Sequence, residues 1–288
     1  MYDELLPTRL RNLWQTAEQK GISRDECIAA QERELEARAR IWRDALLMPN
    51  EDDLVRSTLV EIGRWRGIDD LSIVQRRCAE AVLAVKQRWE QTVKEVDEGG
   101  VEKFYDTADD YIEELMWWHT LSEDNSPLAY VAALEFASMT RGRSYLDFGS
   151  GVGSGALLFR QHGFEVASAD VSSVLLSFCK YRFEQRALEG RLIDLKESSI
   201  PENAFDFITA MDVFEHLVDP VRGVDLIDRA LKPGGYIYGR FGADEDPDRP
   251  QHIVRDFAPV FERFAKLGLK EVFRDDWLWG HQVFQKGI

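Results

Sequence analysis

The sequence has few cysteines, no long apolar run and no excess of basic residues. Its 288 residues include three widely separated cysteines, Cys27, Cys78 and Cys179. Such spacing offers neither a disulfide framework nor a cysteine metal cluster, so we expect a reducing, cytoplasmic environment. The five histidines are also scattered, without paired ligand spacing, and we therefore predict no metal site.

Two further absences narrow the set of expected partners. No apolar run approaches the roughly 20 residues of a membrane span, and the first residues, MYDELLPTRL, lack the apolar segment of a signal peptide. The formal net charge is −16, whereas binding to nucleic acid depends on Lys and Arg displacing counterions. We therefore expect no nucleic-acid partner and no association with a membrane.

Apolar residues recur every three or four positions in the first part of the chain, which indicates helices. The pattern is clearest over residues 31–47, 51–65 and 71–96, and we expect the last helix to end at Gly99 and Gly100. We predict that residues 1–120 form a helical region. Its expected role is a lid, a specificity element or a homodimer contact.

After about residue 140, short apolar runs alternate with helical patterns. We expect strands over residues 144–149, 164–170, 191–195, 205–212, 236–242, 269–276 and 281–287, with helices between them. This alternation predicts an α/β domain over residues 121–288, with a Rossmann-like, mostly parallel sheet covered by helices on both faces. Ligands of such sheets bind beyond the carboxyl ends of the strands.

A glycine-rich segment, YLDFGSGVGSG, follows the first predicted strand at residues 145–155. Glycine permits positive φ angles and lets the backbone approach a ligand closely, and the next helix directs its free N–H groups at the same place. The segment therefore predicts a binding site, and a purely structural turn is the alternative. The spacing GVGSGA also matches a variant of the dinucleotide motif, which leaves an NAD(P)-dependent oxidoreductase open.

The acidic residue before the glycines carries a family resemblance. LDFGSGVG resembles the D/E-x-G-x-G-x-G motif of class I S-adenosylmethionine (SAM) methyltransferases, and the resemblance extends from about residue 140 to the end of the chain. Asp170 and Asp194 end the next two predicted strands, and FDFITAMDVFEHL and LKPGG follow in the family's order. The resemblance implies a seven-stranded sheet with an antiparallel last strand, and SAM as the methyl donor.

The resemblance also implies residue roles. The glycines would approach the methionine and ribose of SAM, Asp147 its amino group, Asp170 the ribose hydroxyls, and Asp194 with the Leu195 N–H the adenine. An acidic loop suits the ammonium and sulfonium of SAM better than a pyrophosphate, which favours SAM over NAD. The expected SAM-binding residues are Asp147, Gly149, Gly151, Gly153, Asp170, Val171, Asp194, Leu195, Met211 and Tyr111.

Three residues at the exit of the fourth strand are candidates for catalysis. Methyl transfer requires alignment of the acceptor with the methyl group and, for some acceptors, a base. His216 is the expected general base or acceptor contact, with Asp212 and Glu215 beside it. The alternatives are a structural hydrogen bond for His216, a helix cap for Asp212 and a solvent-facing Glu215.

Aromatic and polar residues around the presumed site predict an acceptor pocket. Rings and carboxylates together attract cations, so we expect a small-molecule acceptor that is an amine or becomes cationic. The alternatives are that the rings fill the joint between the two regions and that Arg240 pairs with the acidic run 244–248. The expected acceptor residues are Trp118, His119, Arg240, His252 and Trp279.

The sequence as a whole predicts a SAM-dependent methyltransferase that acts on a small molecule. Two alternatives remain: the NAD(P)-dependent oxidoreductase, and a non-catalytic interaction protein that keeps the fold. The chemical type of methylation does not follow from the fold.

Overall fold

The computed structural model describes residues 2–17, 19–242 and 246–288. The α-helices of the described residues are α1 (Leu6–Thr16), α2 (Arg24–Leu46), α3 (Leu54–Arg66), α4 (Leu71–Thr92), α5 (Glu98–Thr107), α6 (Tyr111–Trp118), α7 (Ala129–Ser138), α8 (Ser154–Gln161), α9 (Ser173–Gln185), α10 (Pro220–Ala230) and α11 (Ala258–Lys266). The strands are β1 (Ser144–Phe148), β2 (Glu165–Asp170), β3 (Arg191–Asp194), β4 (Phe205–Ala210), β5 (Leu231–Gly239), β6 (Lys270–Arg274) and β7 (Gln282–Gln285). Short 3₁₀ turns lie at Tyr2–Glu4, Ser126–Leu128 and Phe214–His216. None of the described helices is both long and apolar enough to cross a membrane.

The seven strands form one sheet in the order β3-β2-β1-β4-β5-β7-β6. Neighbouring strands from β3 to β5 pair in parallel, while β7 runs antiparallel to both β5 and β6. The predicted Rossmann-like sheet and its antiparallel last strand are therefore confirmed. The chain order reverses direction between β1 and β4, and this switch point is where the loops after the two strands leave room for a ligand.

Two predicted helix boundaries are wrong. The helix expected over residues 31–47 begins earlier, at Arg24, because Ser23 and Glu26 form a reciprocal capping box. The helix expected to run to Gly99 ends at Thr92. Gly99 and Gly100 instead lie in the first turn of α5, since the side chain of Asp97 accepts a hydrogen bond from the Gly100 N–H at 2.7 Å.

The N-terminal helices and the sheet share one hydrophobic core. Trp42 of α2 is fully buried, and its ring stacks on that of Tyr130 of α7 with the centroids 5.7 Å apart. Its indole N–H donates to the His119 carbonyl at 2.9 Å. The same cluster contains Tyr145 of β1 and Phe207 of β4, so the apolar contacts run without a break from the N-terminal helices to the strands.

A buried ion network joins α3 to α9. Glu61 of α3 is 1% exposed and accepts hydrogen bonds from Arg182 of α9 at 3.3 Å and from Arg186, the residue that follows α9, at 3.0 Å. Arg182 also donates to the Val152 carbonyl and to the Ser154 hydroxyl. Arg182 therefore links the glycine-rich loop before α8 to Glu61 of the N-terminal helix α3.

We expect Trp42→Ala to lower the free energy of unfolding by about 3 to 5 kcal/mol, because it removes a fully buried indole from the shared core. Urea denaturation followed by circular dichroism measures the change. Ile73→Ala, at a position 45% exposed, is the matched control and should change stability by less than about 0.5 kcal/mol. A loss below about 1 kcal/mol for Trp42→Ala would contradict the shared core.

Candidate active site

A cavity of about 760 Å³ opens at the carboxyl ends of the parallel strands. The glycine loop after β1 and the ends of β2 and β4 form its floor, and α5 and α6 lie across it as a roof. Most of the residues expected from the sequence line this one cavity. They are Tyr111, Trp118, His119, Gly149, Gly151, Asp170, Val171, Leu195, Met211, Asp212, Glu215, His216, Arg240 and His252.

The glycine loop turns sharply at the end of β1. Gly149 and Gly151 have φ angles of +70° and +51°, which side-chain-bearing residues rarely adopt. A Cβ on Gly149 would lie 2.5 Å from Cγ2 of Val213, and one on Gly151 would lie 2.9 Å from Cδ1 of Leu115. Any side chain at these two positions would therefore collide with the loop after β4 or with the roof.

Asp170 ends β2 with its carboxylate in the cavity wall. One oxygen accepts the Gly151 N–H at 2.8 Å, and the other accepts the Ser172 N–H at 2.9 Å. Burial raises the pKa of Asp170, whereas these two N–H groups oppose the rise. Each oxygen keeps a second lone pair, so the carboxylate can still accept hydrogen bonds from a diol such as the ribose hydroxyls.

Four of the expected site residues do not line the cavity. Asp147 is fully buried, and its carboxylate accepts the Ala156 N–H at 3.1 Å and the Thr209 hydroxyl at 2.9 Å. It therefore joins the first turn of α8 to β4, and its expected contact with the amino group of SAM stays a prediction. Gly153 packs against Cys179 of α9, and a Cβ on Gly153 would lie 2.3 Å from Sγ of Cys179.

The other two expected residues that do not line the cavity are Asp194 and Trp279. Asp194 accepts hydrogen bonds from the Ser173 hydroxyl at 2.6 Å and from the Lys196 N–H at 3.0 Å. Trp279 donates its indole N–H to Asn125 at 3.1 Å. Leu195 does line the cavity, but its N–H donates to the Asp170 carbonyl at 3.0 Å, so this group is not available to adenine.

Asp147 has the most unusual electrostatic environment of the loop. Burial raises the pKa of Asp147 to about 7, although hydrogen bonds from Thr209, Ala156 and Tyr145 oppose the rise. The neighbouring Gly155 makes room for it, since a Cβ there would lie 2.7 Å from Oδ2 of Asp147 and 2.2 Å from Cε1 of Tyr130. Near neutral pH this carboxyl group therefore changes charge directly beneath the start of α8.

The exit of β4 brings together the three catalytic candidates. Asp212 has a φ angle of +50°, a conformation that is strained for a non-glycine residue, and its carboxylate pairs with Arg240 at 3.3 Å. Residues 244 and 245 of the acidic run expected to pair with Arg240 lie outside the described residues. Glu215 is 2% exposed, and burial together with the charge of Asp212 raises its pKa well above the usual value.

His216 has a defined orientation. Its Nδ1 lies 3.1 Å from the Gln251 carbonyl, which can only accept, so the proton belongs on Nδ1 and the lone pair on Nε2. Burial, with His252 as the next cause, lowers the pKa of His216 to about 3. The ring is therefore neutral at pH 7. A base whose pKa is so far below the working pH takes up a proton poorly.

The roof adds aromatic rings and acids. Tyr105 of α5 and Tyr111 of α6 lie with their ring centroids 5.7 Å apart, and Trp118 lines the cavity from the same side. The bases around the cavity have acidic partners: Lys196 pairs with Asp106, Arg222 with Glu98, and Arg249 with Glu114. Other lining acids, such as Glu102 and Asp124, give the ligand space a negative balance.

Some lining residues were not expected from the sequence. Tyr130 on α7, Lys196 after β3, and Arg249 and Gln251 after β5 belong to segments without a motif. Their positions depend on tertiary contacts, and the polar, proline-containing segment around residue 250 is the only local sign that a site loop follows β5.

Comparison with known proteins agrees with this geometry. Residues 146–239 match the family model described as a methyltransferase domain. The ubiquinone biosynthesis O-methyltransferase of Coxiella burnetii is 28% identical over 150 residues, covering 50% of this chain and 61% of that protein. The phosphoethanolamine N-methyltransferase 2 of Caenorhabditis elegans is 29% identical over 140 residues, covering 46% of this chain and 32% of that protein.

One of the similar solved structures is the phosphoethanolamine N-methyltransferase 2 of Haemonchus contortus in complex with S-adenosyl-L-methionine. It has a TM-score of 0.41 and 25% identity, with 49% of this chain and 36% of that chain covered. The chain thus spans about three fifths or less of the length of these relatives.

The fold, the cavity and the family match together identify the class. Residues 146–239 match a methyltransferase domain, and the sheet, the glycine loop and the cavity have the arrangement expected of a class I S-adenosylmethionine-dependent methyltransferase. The GVGSGA segment lies within the matched methyltransferase domain, which favours SAM over the NAD(P)-dependent oxidoreductase alternative.

We expect Asp147→Asn to remove a pH dependence of stability. The pKa of Asp147 is higher in the folded chain than in the unfolded one, so its contribution to stability is lost as the pH rises from about 4 through 7. The variant should therefore gain about 1 to 2 kcal/mol over the unmodified protein between pH 5 and 7. Urea denaturation across this range measures the difference.

Asp276→Asn is the matched control, because the side chain of Asp276 is 56% exposed. Its difference from the unmodified protein should stay flat over the same pH range. An equally flat difference for Asp147→Asn would show that the Asp147 carboxyl group is ionised in both the folded and the unfolded chain.

Proposed function

We propose that the protein transfers the methyl group of SAM to a small-molecule acceptor. The observation that carries the proposal is the arrangement of one cavity, in which the Asp170 carboxylate and the glycine loop face the polar exit of β4. Relatives with matching segments are named as O- and N-methyltransferases, which supports the class of reaction and leaves the acceptor atom open.

Asp170 is the proposed anchor of the donor. Its two oxygens are fixed by backbone N–H groups, so a diol can bind without reorganising the carboxylate. Gly149 and Gly151 have positive φ angles and no room for a Cβ, so glycine is required at both positions. The space beside them is therefore free of side chains, and the methionine part of SAM would lie there. The negative balance of the cavity favours the ammonium and sulfonium of SAM.

The proposed acceptor binds between the roof and the β4 exit. Tyr105, Tyr111 and Trp118 offer ring faces, and Glu114 and Glu215 supply carboxylates. Such a surface favours an amine, or an acceptor that becomes cationic on methylation. The lining residues of α5 and α6 add walls to the cavity, and a concave site of this volume suits a small molecule. The cytoplasmic location and the homodimer contact remain predictions from the sequence.

In the proposed reaction, the S–CH₃ bond of SAM breaks as the acceptor atom forms a bond to the methyl carbon, and the thioether leaves with the electron pair. An acceptor O–H or N–H also loses a proton. The His216 Nε2 lone pair is the candidate partner for the acceptor group, and its position is held by the bond from Nδ1 to Gln251.

We expect Asp170→Asn to weaken SAM binding by about 10- to 100-fold, because hydrogen bonds to a charged group are worth about 1.5 to 3 kcal/mol. Isothermal titration calorimetry measures the affinity. Asp276→Asn is the matched control, because the side chain of Asp276 is 56% exposed and does not line the cavity, so the SAM affinity of this variant should stay within about twofold. Equal SAM affinities of the two variants would contradict Asp170 as the anchor.

We expect His216→Ala to lower the rate of methyl transfer by more than tenfold while SAM affinity stays within about twofold, because the variant loses the Nε2 contact that positions the acceptor. The acceptor is first found by incubating the protein with a metabolite extract and isotopically methyl-labelled SAM, and by identifying the labelled product by mass spectrometry. SAM binding without transfer to any acceptor in the extract would favour the non-catalytic alternative.

A further inference from the structure

Three potential metal ligands meet in the wall of the cavity. Glu215 and His216 lie in the 3₁₀ turn after β4, and His252 lies in the segment after β5. One ligand atom from each side chain can be chosen so that all three lie within 4.8 Å of one another. No metal site is expected from the sequence, because the histidines are scattered and His252 lies far along the chain from Glu215 and His216.

The backbone fixes this meeting. The Glu215 carbonyl accepts two hydrogen bonds, from the Ile253 N–H at 2.8 Å and from the Val254 N–H at 3.0 Å. These bonds hold the residue just before them, His252, against the turn that carries His216. The two imidazole rings consequently lie edge to face with their centroids 4.9 Å apart.

Two polar atoms of the cluster have no partner in the described structure. Oε2 of Glu215 is buried and accepts no hydrogen bond, and Nδ1 of His252 is also buried and unpaired. Glu215 is only 2% exposed. A buried carboxylate oxygen without a donor is costly, so the site is incomplete as it stands and a bound cation would complete it.

His216 has the orientation of a metal ligand. Metal-bound histidines usually donate their second ring N–H to a carbonyl or carboxylate, which fixes the tautomer. The Nδ1 of His216 donates to the Gln251 carbonyl at 3.1 Å, so Nε2 presents its lone pair. This contact comes from the same segment that holds His252 in place.

We propose that Glu215, His216 and His252 bind a divalent first-row transition-metal ion such as Zn²⁺. Two imidazole nitrogens and one carboxylate oxygen suit Zn²⁺, Mn²⁺ or Fe²⁺ better than Mg²⁺, which prefers oxygen ligands. Ligand bonds of about 2.1 Å place the donor atoms about 3 to 4 Å apart, so the three side chains close inward by about 1 Å on binding.

The ion has open positions toward the cavity, because the protein supplies three ligands. An acceptor hydroxyl would bind there and lose its proton more readily, and the resulting oxygen anion would keep a lone pair for attack on the methyl carbon. The Nε2 lone pair of His216 then lies on the metal and does not act as the general base. The metal site itself does not depend on methyl transfer, so it can be tested without an acceptor.

The experiment measures Zn²⁺ binding to chelator-treated, full-length protein by isothermal titration calorimetry at pH 7.5. We expect one ion per chain with a dissociation constant at or below the micromolar range. Glu215→Gln and His252→Gln should each weaken binding by about a hundredfold or more, while circular dichroism stays unchanged. His162→Gln, an exposed histidine outside the cavity, is the matched control and should bind like the unmodified protein.

Two results would overturn the site: no Zn²⁺ binding by the unmodified protein at 100-fold excess over the chain, or unchanged binding by both ligand variants. The second result would assign the ion to an adventitious surface site. SAM affinity, measured in the same samples, separates the two proposals. If the unmodified protein binds Zn²⁺ but not SAM, the metal site is supported and the proposed function is contradicted. If it binds SAM but not Zn²⁺, the proposed function is supported and the metal site is contradicted.

Discussion

The carboxylate of Asp170 is the contact on which the site depends. It accepts the Gly151 N–H from the loop after β1 and the Ser172 N–H at the start of α9, so a single buried group joins two loops. Together with the Ala169 carbonyl, which accepts the Gly149 N–H at 2.8 Å and the Ser150 N–H at 3.1 Å, it holds the positive-φ turn against the end of β2. The same oxygens remain able to accept further hydrogen bonds, and the group that shapes the loop is therefore also suited to bind the donor.

The opposite wall is held by backbone contacts. The Glu215 carbonyl receives two N–H groups of the segment after β5, and the Gln251 carbonyl receives the ring N–H of His216. Arg249 of this segment reaches Glu114 of the roof at 3.4 Å. The short segment after β5 thus contacts both the exit of β4 and the helix α6. Its polar residues face inward because they make these contacts.

Much of the fold was predictable from local signals. Alternating strand and helix patterns and the order of the motifs predicted the seven-stranded sheet and the placement of Asp170. The roles of Asp147 and Asp194 were not predictable, because a motif fixes a residue's position along a strand but not the partners of its side chain. Thr209 and Ser173, which bind these two carboxylates, come from distant elements.

The buried ion network of Glu61 shows the same limit, because no local sequence pattern predicted that Glu61 would face Arg182 and Arg186. That network also bears on how the chain can be divided. A fragment beginning at the sheet would retain two nearly buried guanidinium groups and lose their shared carboxylate. Such a fragment would leave unpaired positive charge behind the glycine loop, so we expect it to be less stable than the full chain.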